Sequence, residues 1–145
     1  MSVDRAFVEL NRAARARMRA LAERLTDDEL RRPVGEHWTV AIVFAHLAFL
    51  DQRALWVLEA TQREGQVVNP DWGVFVNDIS LPFWAALPPR EAVRLALAAA
   101  EAVDARLEAY PPELLEQIQA EYQRYIFRAN HRNEHIGEAE AALSA

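Results

Sequence analysis

HWTVAIVFAHLAFLD, residues 37–51, decides how this chain folds. Past Thr39 the run is apolar on most sides, and Leu55 and Leu58 continue it. Nothing in it alternates with period two, so it reads as a helix rather than a strand. Thr39 is placed to cap its N-terminus and Gly65 to end it, which bounds a helix of about 40–64. A helix apolar on most faces must be buried among others. The most apolar part, residues 38–50, is too short to span a bilayer and carries His46.

Working outward, Phe7, Leu10, Ala14, Met18, Leu21 and Leu25 recur at three- and four-residue steps and predict a first amphipathic helix over about 3–25. TDDE follows as a capping box, with Thr26 capping and Glu29 reaching back, and Pro33 ends the short turn it opens. Residues 66–88 form a long connection holding Trp72, Phe75, Phe83 and Trp84. So aromatic a segment should pack across the bundle or against a partner, with a helical turn inside it. A third long helix enters through Pro88 and Pro89 and is broken by Pro111 and Pro112. A last helix is expected over about 112–143, with Leu115, Ile118, Tyr122, Tyr125, Ala129, Ile136 and Leu143 as its stripe. No strand is expected. Four long helices with one long crossover make residues 1–145 a single all-α four-helix bundle.

Net charge is −6 and the pI about 5.2. That balance disfavours nucleic acid, which needs a basic stripe, and offers no polybasic segment to a membrane. Cysteine is absent, so disulfides, thiolate metal sites and cysteine nucleophiles are excluded. Lysine is absent too, which removes a Schiff base. The opening MSVDRAFVEL lacks a basic segment followed by an apolar run, so no signal peptide is expected and the default location is cytoplasmic.

The chemistry-bearing residues are histidines. His131 and His135 are four apart, about 40° around a helix and about 6 Å along it. Such a pair suits two ligands of one metal ion but also occurs by chance on surfaces. His46 is the third candidate. Alone, a histidine in an apolar helix is more often bonded to a backbone carbonyl or a tyrosine. With helices packing about 8–10 Å apart, His46 and the pair can instead converge. Three neutral imidazoles leave open positions, as catalytic sites do. Glu138, one turn beyond His135, is a weak fourth ligand, an outer partner that orients an imidazole, or a solvated carboxylate, the last being the commoner case. His37 reads as a loop residue. Arg124 and Arg128 precede His131 on roughly the same face; they would hold an anionic substrate or cofactor carboxylate, or form a solvated face paired with Glu121 or Glu134. Arg53, seven residues after His46, carries the same two readings.

HWTVAIVFAHLAFLD, the VND around Asn77 and the ending YIFRANHRNEHIGEAEAAL resemble the DinB-like (damage-inducible) superfamily. The shared pattern is a Trp-Ser/Thr-Val helix start, a mid-helix His-Leu and a C-terminal His-x-x-x-His. Glu36-His37 stand before the tryptophan where that family commonly has glycine or a small polar residue. The resemblance implies a four-helix bundle with a divalent metal, zinc or nickel, on His46, His131 and His135. It also implies a small-molecule substrate and a low-molecular-weight thiol of the mycothiol or bacillithiol type, in a thiol-dependent transferase. A metal-dependent hydrolase would use the same three ligands. A non-catalytic bundle with structural histidines is the third reading. A homodimer fits so small a bundle.

Overall fold

The computed structural model describes residues 4–145; the expected helix start at residue 3 lies outside them. The chain forms α1 (Phe7–Arg24), α2 (Asp27–Leu30), β1 (Pro33–Val34), β2 (Trp38–Thr39), α3 (Val40–Glu64), α4 (Val76–Ala86), α5 (Pro89–Glu108), α6 (Pro112–Glu121) and α7 (Ala129–Ser144). A 3₁₀ turn, Gln123–Tyr125, lies between α6 and α7. The long helices α1, α3, α5 and α7 make an all-α bundle. α3 packs most extensively along α5, and α1 against α5 and α7.

Local signals set the ends of α3. The Thr39 hydroxyl accepts from the Ile42 N–H at 3.2 Å, and Gly65 closes the helix at φ 75°, a left-handed conformation that suits glycine. The capping box of α2 is present, with Thr26 and Glu29 each serving the other's backbone N–H. α3 is long and apolar enough to cross a membrane, but most of its surface is buried inside the bundle, as a core helix requires.

Three expectations are corrected. Pro33–Val34 and Trp38–Thr39 pair as a short antiparallel ladder, too brief for a period-two pattern to show. The crossover holds a full helix, α4, with Pro82 inside it. The last helix is not continuous: residues 122–128 break it into α6 and α7. The break is held from outside. The Asn11 side chain on α1 donates to the Ile126 carbonyl at 2.7 Å and accepts from the Ala129 N–H at 2.8 Å. It thereby satisfies a donor at the start of α7 that a new helix leaves unpaired. Asn11 therefore occupies the buried stripe of α1, while Leu10, expected there, is 50% exposed.

The core has two apolar clusters separated by a polar layer. One gathers Met18, Leu21, Val43, Phe44, Leu47 and Ile136; the other gathers Phe7, Val57, Leu58, Leu107, Ile118 and Tyr125. Between them lie Asn11, Asp51, Asp104, Arg128 and Arg132, all buried. Arg132 is 0% exposed, yet all five of its N–H donors are used. Nε donates to Asp51 at 3.0 Å, and Nη1 to Asp104 at 2.9 Å and the Asn11 carbonyl at 3.1 Å. Nη2 donates to Asp104 at 2.9 Å and the Ala100 carbonyl at 3.4 Å. Burial works against the charge, but the two carboxylates outweigh it and hold the Arg132 pKa above its ordinary value. One guanidinium thus ties α7 to α1, α3 and α5.

Removing one partner of such a network leaves charge buried without compensation. Arg132→Met should lower stability by about 3–5 kcal/mol, seen as an early urea midpoint. Arg17→Ala, which breaks the half-exposed pair with Glu140, should cost no more than about 1 kcal/mol.

Candidate metal centre

His46 sits in the second turn of α3 and faces α7, where His131 and His135 stand one turn apart. Each of the three offers one ring nitrogen, all within 4.8 Å of one another. His46 Nε2 and His131 Nε2 are 2.9 Å apart. Ring centroids are separated by 4.9 Å for His46–His131, 4.6 Å for His46–His135 and 4.7 Å for His131–His135. Two nitrogens on one ion at about 2.0–2.1 Å stand about 2.9–3.4 Å apart for angles between a right angle and the tetrahedral one. The Nε2 pair falls in that range, so the residues fit a divalent metal.

Aromatic rings close one side. The Trp38 ring lies 4.8 Å from His46 and 5.8 Å from His135; the Trp84 ring lies 5.2 Å from His46 and 5.9 Å from Trp38. The β1–β2 ladder brings in Trp38 and α4, within the crossover, brings in Trp84. Trp72, by contrast, packs on Trp56.

His46 and His131 are kept neutral. Burial pushes the His46 pKa down to about 3, with His135, Arg53 and Arg128 adding to the shift. Burial pushes His131 down to about 2, and Arg128, His46, His135 and Arg53 act the same way. A neutral imidazole is the form that ligates metal. Nδ1 of His46 and of His131 are buried without a hydrogen-bond partner among the described residues. Nδ1 of His135 lies 3.1 Å from Glu138 without hydrogen-bond geometry, which places Glu138 beside the cluster rather than in solvent alone. His37 is an exposed loop residue beside Glu36, as expected.

The arginines are not a solvated face paired with Glu121 or Glu134. Arg128 is buried: Nε donates to Asp51 at 2.8 Å and Nη1 to the Arg124 carbonyl at 2.8 Å. Arg124, on the 3₁₀ turn, is exposed and lies over the Tyr125 ring at 5.0 Å. Arg53 approaches the same ring at 5.7 Å. Sequence reasoning passed over Arg132, Asp51 and Asp104. Two of these stand inside the stretches that mattered most, as the first residue after His131 and as the aspartate ending HLAFLD. Their signal was a charge on a helix face that must be buried.

A family model described as mycothiol maleylpyruvate isomerase N-terminal domain matches residues 11–117. This chain belongs to that family. The family lies in the DinB-like superfamily, in agreement with the helical bundle and the three-histidine cluster. The matched span includes His46 and stops short of His131 and His135, so the fold joins a family position to two residues beyond it. No curated protein and no solved structure matches the chain.

Depressed histidine pKa values give the metal-free protein an acid-labile stability. An unfolded histidine binds its proton near pH 6.5 and folded His46 does not until about pH 3, so the unfolded state holds more protons in between. Stability present above pH 6.5 is lost as pH falls toward 3. Urea midpoints at pH 7.5, 6.0 and 5.0 should drop more steeply in the parent than in His46→Gln, where one such group is gone.

Proposed function

We propose that the protein is a metal-dependent enzyme that uses a low-molecular-weight thiol of the mycothiol or bacillithiol type, most simply a thiol transferase. The observation that carries this reading is the convergence of His46, His131 and His135 on one point in a chain of the mycothiol maleylpyruvate isomerase family. A divalent ion there, zinc or nickel, would lower the pKa of a thiol and keep it as the nucleophilic thiolate.

The chain's own residues supply the rest. The three imidazoles of His46, His131 and His135 would be the ligands, with burial holding the first two in the neutral form. Trp38 and Trp84 keep water from one side, which strengthens electrostatic interactions within the site. Arg53 and Arg128 add positive charge toward the cluster, and Arg124 stands at its outer edge; together these would hold an anionic group of substrate or cofactor. Tyr125, buried with its hydroxyl donating to Asn69 at 2.6 Å, fixes the platform on which Arg53 and Arg124 rest. Free thiols are kept reduced in the cytoplasm, which sets the reaction there. Exposed Phe75, Ile79 and Phe83, on and beside α4, offer a homodimer its apolar face.

Protein purified without a histidine tag should carry near-stoichiometric zinc or nickel by elemental analysis, and His46→Ala and His131→Ala should lose it. Metal at a hundred times its Kd should stabilise the parent by about 2.7 kcal/mol and leave the variants unmoved. The loaded parent should then consume thiol in the presence of small electrophiles. A parent that neither holds nor takes up either metal would make the histidines structural and overturn the reading.

A further inference from the structure

Beside the histidine cluster, between α3 and the start of α7, is a cavity of about 200 Å³. His131 forms part of its wall, and Arg53, Arg124 and Arg128 form much of the remainder, with Leu50 and Phe127 as apolar surface. Two of these guanidinium groups have donors left over. Nη2 of Arg128 and Nε of Arg53 are buried and have no hydrogen-bond partner among the described residues. Arg128 as a residue is 2% exposed, and its other groups are committed to Asp51 and the Arg124 carbonyl. Unpaired buried N–H groups on charged side chains are costly, and native structures rarely leave them so.

The charge count agrees. Asp51 is shared between Arg128 and Arg132, so it cannot neutralise both. Arg53 makes no ion pair among the described residues. Glu134 lines the cavity as well, but is exposed and makes no ion pair there. Three arginines against a shared Asp51 and a rim Glu134 leave the cavity positive. Arg53 bears the strain: burial pushes its pKa down, and although the Tyr125 side chain opposes this, Arg128 and Arg124 push it further down.

We infer that this cavity is a carboxylate subsite, in which Arg53 Nε and Arg128 Nη2 donate to the oxygens of an organic acid whose other end reaches the histidines. A planar carboxylate matches guanidinium N–H groups, and Leu50 and Phe127 suit a short carbon chain or ring behind it. The assignment rests on the proposed function for what the acid is, the substrate, and deepens it by fixing the substrate's charged end. The metal is not needed for the anion to bind, which separates the two tests.

Protein stripped of metal by chelator dialysis is titrated calorimetrically with benzoate and with propionate at constant ionic strength. Saturable binding is expected, weakened at least tenfold in Arg53→Gln and tightened in Glu134→Gln, which removes the one carboxylate on the rim. Glu134 is exposed, so that variant keeps the test valid even if Arg53→Gln folds poorly. No binding by the stripped parent would overturn the subsite, as would binding indifferent to both variants. Carboxylate binding that appears only after metal is restored would overturn it too, since the acid would then be ligating the ion. Saturable, Arg53-dependent binding by a protein that never takes up metal would leave the subsite standing while the thiol-transferase reading fell.

Discussion

Everything near the histidines depends on one buried guanidinium. Arg132 is adjacent in sequence to His131, so the two side chains leave α7 about 100° apart. With Arg132 drawn inward to Asp51 on α3 and Asp104 on α5, the direction of His131 is no longer free. Asp51 lies five residues after His46 on the same helix, so the ion pair also fixes how far α7 is slid along α3. A shift of α7 by one residue would withdraw Arg132 from both carboxylates at once and carry the histidines off His46. Apolar clusters alone do not forbid such slips, because Leu, Ile and Ala tolerate many neighbours. Desolvating two arginines and two aspartates costs several kcal/mol per ion before pairing, so the layer is a poor way to gain stability. What it does supply is a single register, through five donors that are satisfied in one arrangement.

Legibility in the sequence followed the range of the interaction. Thr39, Gly65, Thr26 and Glu29 act on backbone groups within four residues, and each could be read directly. The ends of α3 were therefore plain. The break between α6 and α7 was not, because no proline or glycine marks it and the apolar spacing runs straight through Tyr122, Tyr125 and Ala129. Its cause is Asn11, more than a hundred residues away, which provides hydrogen bonds to Ile126 and Ala129 that a continuous helix would have made internally. The β1–β2 ladder was hidden for a different reason. Two-residue strands carry no periodicity, and their role lies in delivering Trp38 to the histidines.

The site itself was half legible. His46 announced itself as a polar ring in an apolar helix, and the four-residue spacing of His131 and His135 placed both on one face. Their convergence is a tertiary fact, set by the packing of α3 against α7. The arginines were seen but misplaced. Arg128 was read as the face of a long helix, and it is instead at the N-terminal boundary of α7, buried on Asp51. Sequence shows that a charge exists; only the fold shows which of its hydrogen bonds are already taken.

The polar layer and the histidines are electrostatically one unit. Arg128 stabilises α7 through Asp51 and at the same time disfavours protonation of His46 and His131. Arg53, which pairs with no carboxylate among the described residues, adds to that effect. A field that repels protons from imidazole would also repel a metal cation, so the arginines make sense beside a metal centre only if anionic charge arrives with the reactants. A thiolate on the ion and a carboxylate against the arginines would each bring one negative charge, and each would be worth more with water excluded by Trp38 and Trp84. The positive excess left in the cavity would therefore link a ligand set suited to a cation with reactants that arrive as anions.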